Sequence, residues 1–159
     1  MKRILIAVTA CTVLFSSVAC SAKKPPEPAA IRTKSALSAL RDLSRAYESK
    51  DLSSFMAGVA PSFRDREGFE KNVSSVFAKY DAIQFSIQYT KMIIMIDAVN
   101  QAKATFTWEA EWKTAGGLSV KDGARGTLIF ERKDNKLVAI EGKNPFIPQP
   151  GTTPGKDSK

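Results

Sequence analysis

The order of apolar and polar residues divides the chain into a helical first half and an alternating second half. Between Ile31 and Ser49, the residues Leu37, Leu40, Leu43 and Tyr47 recur at steps of three and four, the stripe of an amphipathic helix. Asp51 stands where it can cap a second, short helix through Val59, and Pro61 ends it. Asp65 can cap a third, whose Phe69, Val73, Val76, Phe77 and Tyr80 form a continuous apolar stripe. Past Asp81 the period becomes two. Ile83, Phe85, Ile87 and Tyr89 face one way, and Gln84, Ser86, Gln88 and Thr90 the other. In the same manner Ala102, Ala104, Phe106, Trp108, Ala110 and Trp112 oppose Lys103, Thr105, Thr107, Glu109 and Glu111. Two further strands are expected near 124–132 and 136–142, joined by a turn at Lys133-Asp134-Asn135. Helices first and adjacent strands after them predict an α+β domain with an antiparallel sheet covered on one face.

Residues 91–97 depart from the alternation. Ile93 and Met95 oppose Met92, Ile94 and Ile96, so the segment is apolar on both faces. Periodicity leaves two readings open, a central strand covered on both sides or a strand with one face serving as a contact surface. Gly116-Gly117 and Asp122-Gly123 read as turn punctuation. Neither has the strand-loop-helix setting of a phosphate loop, so no nucleotide role is expected.

The N-terminus carries a different signal. Met1-Lys2-Arg3 is a short basic start, followed by twelve mostly apolar residues from Ile4 to Phe15 and then by small ones. That order is the pattern of an export signal over residues 1–19. The apolar run is shorter than the roughly 20 residues that a helix needs to cross a bilayer, which makes a retained transmembrane anchor the weaker reading. Ser17-Val18-Ala19 suits an ordinary signal peptidase. Val18-Ala19-Cys20 also resembles the lipobox of bacterial lipoproteins, with Ser17 where that family usually has Leu. The resemblance implies that Cys20 is acylated and becomes the first residue of the exported protein.

Cysteine usage weighs toward the lipoprotein. Cys11 and Cys20 are the two cysteines, and Cys11 lies within the segment to be removed. Cys20 would then be a lone thiol in an oxidising compartment, an awkwardness that acylation removes. Prolines mark the remaining boundaries. Three lie at 25, 26 and 28, four at 145, 148, 150 and 154, and Pro61 alone falls between. Residues 20–30 therefore read as the attachment cysteine and an extended tether, 31–146 as one domain, and 147–159 as a disordered tail.

Charge adds little beyond solubility. Loss of residues 1–19 removes Lys2 and Arg3 and no acid, leaving 22 basic and 16 acidic side chains, a formal +6. The charges are interleaved, as in Arg64-Asp65-Arg66-Glu67, so a nucleic-acid partner is not expected. Contact with anionic lipid headgroups or with an anionic cell-wall polymer through scattered Lys and Arg is a weaker alternative.

The segment from Ala46 to Phe63 looks like the opening of the nuclear-transport-factor-two-like superfamily. Residues Tyr80 to Trp112 resemble its paired strands joined by a tight turn. The resemblance implies helices wrapped by a curved antiparallel sheet of about four strands, in the shape of a cone. Functions in that superfamily are diverse, so the fold alone assigns none. Its enzymes place acids, tyrosines or histidines inside the cone.

This chain has no histidine, which removes histidine base catalysis, Ser-His-Asp and Cys-His nucleophiles and the usual zinc sites. No metal-binding spacing occurs and no cofactor is called for. A carboxylate-tyrosine site would need an acid on the apolar face, but Glu109 and Glu111 lie opposite Trp108 and Trp112. Tyr89 and Glu141 are the least implausible participants in a small isomerase-like or cyclase-like enzyme, the alternative function. The aromatic set Phe85, Tyr89, Phe106, Trp108, Trp112 and Phe130 either lines an apolar ligand cavity or is an ordinary core.

The expected protein is thus an exported lipoprotein, anchored to a bacterial membrane on its periplasmic side, the outer membrane preferred to the inner. Its domain is expected to be a non-catalytic binding or assembly module. The expected partners are the membrane through the N-terminal lipid, an envelope protein, an apolar ligand, or a second copy through 91–97. Metabolic labelling with a palmitate analogue tests the anchor, since Cys20→Ala should abolish a label that the wild-type chain takes up. Equal labelling of both overturns acylation at Cys20.

Overall fold

The computed structural model describes residues 28–99 and 101–149. The expected signal segment, Cys20 and most of the tether and tail lie outside them. Helix α1 (Ala29–Glu48) begins directly after Pro28, so its first two residues come from the stretch read as tether. It buries Ala36, Leu40, Leu43 and Tyr47, the three-and-four spacing of an apolar stripe. Lys50 then takes a positive φ of 58° and reverses the chain. Its ammonium donates to the carbonyl of Tyr80 at 2.7 Å, a cation at the negative end of another helix.

Helices α2 (Leu52–Ala57) and α3 (Arg66–Lys79) start at the expected caps. The Asp51 carboxylate accepts from the Ser54 amide at 3.0 Å, and Asp65 accepts from Gly68 at 3.3 Å. Arg66 reaches back to the carbonyl of Met56 at 3.2 Å, which ties the start of α3 to the end of α2.

The second half forms β1 (Ala82–Ile87), β2 (Ile93–Ile96), β3 (Ala102–Lys113), β4 (Ser119–Phe130) and β5 (Leu137–Gly142). All pair antiparallel in one curved sheet of order β1-β3-β4-β5. β4 pairs with β3 along its whole length, from Ala102↔Phe130 to Lys113↔Ser119. Both β1 and β2 are therefore left to the other edge of β3, where they lie end to end. β1 covers residues 108–113 and β2 covers 102–105. The sheet has five strands and is four wide, with the helices on one face. A 3-10 turn, Tyr89–Lys91, separates β1 from β2.

Two expectations are corrected here, and one of the two open readings of residues 91–97 falls away. Tyr89 leaves the alternation of β1 and sits in that turn, 44% exposed. β2 is an edge strand rather than a central one, since β3 is its partner in the sheet. Ile94 and Ile96 lean on the core while Ile93 and Met95 are half exposed. Asp122-Gly123 is not a turn, because β4 begins at Ser119 and runs through both residues. Gly123 is required there by close packing, for a Cβ would lie 2.9 Å from the carbonyl oxygen of Trp108. The turn signal at Gly116-Gly117 does join β3 to β4, with Gly117 at φ 77°.

The core forms between the helices and the inner row of the sheet. Tyr47 stands at its centre, with the rings of Phe77, Phe55 and Phe146 at 5.5, 5.7 and 5.1 Å. Phe146 arrives from beyond β5, fully buried, and also packs on Phe55 at 5.0 Å and Phe85 at 5.7 Å. The segment after β5 thus folds back over the helices and closes the core with an aromatic ring. Phe146→Ala should lower stability by about 3–5 kcal/mol in urea denaturation, the usual effect of truncating a buried aromatic. A loss below about 1 kcal/mol would mean that the ring does not close the core.

Candidate functional site

The inner face of the sheet is where the fold can hold a ligand. β1 offers Ile83 and Phe85, and β3 offers Phe106, Trp108, Ala110 and Trp112, alternate residues that share one face. The structure brings together five of the six aromatics singled out above. Phe85, Phe106, Trp108, Trp112 and Phe130 are all buried in one cluster. Tyr89 is not among them; its ring lies outside, with the Arg41 guanidinium 5.6 Å from its centroid. Within the cone the Phe85 ring packs on Trp108, Tyr47 and Phe146, Trp112 packs on Tyr80, and Phe146 packs on Tyr47 and Phe55.

Two hydrogen bonds fix that interior. The Trp112 indole donates to the Tyr47 hydroxyl at 2.8 Å, and this hydroxyl donates to the carbonyl of Phe146 at 2.7 Å. Burial holds the Tyr47 phenol far above its usual range. The hydrogen bond from Trp112 opposes that shift, and the nearby Tyr80 adds to it. A phenol so placed is a structural donor and acceptor; it is not a proton donor near neutral pH.

Sequence reasoning missed a buried carboxylate on the same inner face. Asp122 pairs in register with Ala110 and lies between Val120 and Ala124 on that side of β4. Its side chain is 2% exposed and meets the Lys143 ammonium at 2.5 Å. The same oxygen, Oδ1, accepts from the Gly123 amide at 2.7 Å, while Oδ2 is buried without a hydrogen-bond partner. The buried indole nitrogen of Trp108 is likewise without one. Parity along β4 could have revealed Asp122 had the strand been started at the Gly116-Gly117 turn. The glycine beside it concealed the strand.

An open groove of about 730 Å³ runs past β1, β3 and β4, bordered by inner-face residues Phe85, Ala110 and Asp122 as well as by outward-facing ones. Glu48, Gln84, Phe85, Glu109, Glu111, Lys121 and Asp122 border it. Glu48 is held by the amide of Phe85, which it accepts at 3.0 Å on the free edge of β1. Glu111 lies 3.6 Å from Lys113 and 3.9 Å from Lys121. Such a rim can hold polar or cationic groups by exposed ion pairs, each of small energy. Glu141 is exposed on β5, so it does not join Tyr89 or Asp122 in one site. Among the described residues no cluster of three or more His, Cys, Asp or Glu could hold a metal ion.

No family model and no curated protein matches the chain. Solved structures do. A nuclear transport factor 2 (NTF2-like) superfamily protein from Salmonella enterica superposes with TM-score 0.63 at 10% identity, over 79% of this chain and 99% of that one. A candidate dehydratase of the NTF2-like family from Streptomyces avermitilis gives 0.58 at 17% identity, over 70% and 94%. AusH from Aspergillus nidulans gives 0.55 at 11%, over 67% and 81%. The domain therefore has the cone-shaped NTF2-like α+β fold, a fold compatible with catalysis and with binding alike.

Two outcomes check this geometry. Because the folded state holds Tyr47 protonated above the ordinary tyrosine pKa of about 10, the folded chain binds more protons than the unfolded one in alkali. Its contribution is complete below that value and is lost as pH rises, so the protein should lose stability above about pH 10. Tyr47→Phe should flatten that dependence in denaturation measured across alkaline pH. Separately, Lys143→Met should lower stability by about 1–3 kcal/mol by leaving a buried carboxylate unpaired. Adding Asp122→Asn should recover most of that loss; additive losses in the double-mutant cycle would mean that the pair is not coupled.

Proposed function

We propose that the protein is an exported lipoprotein, held at a bacterial membrane by Cys20, whose NTF2-like domain binds or assembles with a partner and does not catalyse a reaction. The observation that carries this reading is the filled interior. Tyr47, Phe55, Phe146, Trp108 and Trp112 occupy the space in which a cone of this kind would receive a small substrate. Recognition then falls to the surface. The free edge of β2, with Ile93 and Met95 half exposed, supports an envelope protein or a second copy as the partner. An apolar small molecule is the less favoured ligand, since it would have to displace Phe146.

A second reading rests on one specific observation. Asp122 Oδ2 is a buried acceptor without a partner, beside a groove of substrate size. In that reading the domain is a small isomerase-like or cyclase-like enzyme, with Asp122 in place of Tyr89 and Glu141.

Native mass spectrometry of the protein extracted from its own membrane separates the two. A mass increment equal to a second chain or to another protein supports the proposal. A co-purifying small molecule that the wild-type chain converts to product and Asp122→Asn does not, with its fold intact by circular dichroism, overturns it in favour of the enzyme.

A further inference from the structure

One end of the fold collects features that no interior contact explains. Arg32, in the first turns of α1, donates to the carbonyl of Glu131 at 3.1 Å and to the side chain of Asn135. This pins the start of α1 to the β4–β5 turn. The pairing of Ala102 with Phe130 sets the β2–β3 turn, residues 97–101, beside that same turn. Three chain segments thus meet at one end: the entry of α1, the 97–101 turn and the 131–136 turn.

That end is basic and carries exposed apolar side chains. Arg132 and Lys133 are exposed at the tip of one turn, Lys136 is half buried, and Lys34 is exposed on α1. Val99 is 68% exposed at the tip of the other turn, and Ile31 is 50% exposed on α1. Arg32 is itself buried, so four cations reach the surface here, against Asp97, Glu131 and Asp134. Asp97 is engaged within its turn, accepting from the amides of Val99 and Gln101 at 3.1 and 2.8 Å. Leu118, the most exposed large apolar residue, lies in the β3–β4 turn at the opposite end of the sheet.

We propose that this end docks on the anionic headgroups of the bilayer, with Val99 and Ile31 at the interface and Arg132, Lys133 and Lys34 over the phosphates. The proposal rests on the lipid-anchor reading of Cys20. Eight residues, Ser21 to Pro28, separate Cys20 from α1, and they include Lys23 and Lys24. Even fully extended at about 3 Å each, they hold this end within roughly 25 Å of the membrane surface. The polarity of the fold then decides which face meets the lipid: the end where the chain enters is the end at which exposed Arg132, Lys133 and Lys34 lie beside exposed Val99 and Ile31. A negative surface attracts such a cluster by about a fivefold gain in affinity per cation, within a Debye length of the headgroups.

The test uses the full chain, processed and acylated in cells, then reconstituted into phosphatidylethanolamine vesicles with or without phosphatidylglycerol. An environment-sensitive fluorophore is placed by Val99→Cys or, as a control, by Leu118→Cys, and quenched with nitroxide-labelled lipid. Quenching is expected at position 99 and not at 118, in anionic vesicles only. The double variant Arg132→Glu with Lys133→Glu should reduce it by about tenfold or more, as should high salt. Equal quenching at 99 and 118, or quenching that ignores the anionic lipid, overturns the docking. A label at 99 that is shielded in detergent, where light scattering gives twice the monomer mass, assigns this end to a second copy and also overturns it. Flotation with the vesicles reads the anchor separately. A chain that floats without quenching at 99 fails the docking alone, and a chain with intact Cys20 that does not float fails the anchor reading and the docking together.

Discussion

The hydroxyl of Tyr47 holds together three parts of the chain that are far apart in sequence. It accepts from Trp112 on β3 and donates to the backbone of Phe146 beyond β5, so α1, the sheet and the C-terminal segment share one buried polar atom. A phenol without these partners would be costly to bury, and the carbonyl of Phe146 would have no donor at that place. The aromatic rings then assemble around a fixed point rather than sliding over one another. The filled interior and the path of the last residues follow from this pair of hydrogen bonds, whereas the tight hold on the phenolic proton comes from burial, against the pull of the Trp112 donor.

In the proposed reading the filled core leaves recognition to the surface. Folds of this kind accommodate enzymes and binding proteins alike. Here the chain supplies its own occupant in Phe146. What the domain presents outward is an edge strand with apolar residues, a groove rimmed by charge and a basic end beside the entry of α1. The proposed binding role would draw on these features. Asp122 with Lys143 is the exception, a buried ion pair with one unused acceptor, and it is the place where catalysis would have to begin.

Much of the fold was legible because burial acts on local periodicity. The stripe of Leu40, Leu43 and Tyr47 and the alternation of Phe106, Trp108, Ala110 and Trp112 each reflect one face turned to the core. The capping positions of Asp51 and Asp65 were readable for the same local reason, a side-chain oxygen within reach of an amide three residues on. Glycine misled. Asp122-Gly123 has the composition of a turn, but Gly123 is selected by the carbonyl of Trp108 from the next strand, a contact that sequence cannot display. Phe146 was hidden behind prolines that marked only the end of the last strand.

By itself the sequence determined the order of helices and strands and the inward faces of α1, α3 and β3, because each depends on residues within a few positions of one another. Tertiary structure decided that β1 and β2 share one edge of β3, and that β2 is left with a free edge of its own. It also decided that Asp122 is buried, that Phe146 fills the cone, and that the basic turn meets the start of α1. Those outcomes depend on pairings between residues six to a hundred positions apart, for which strand register and core volume, not local pattern, set the energy.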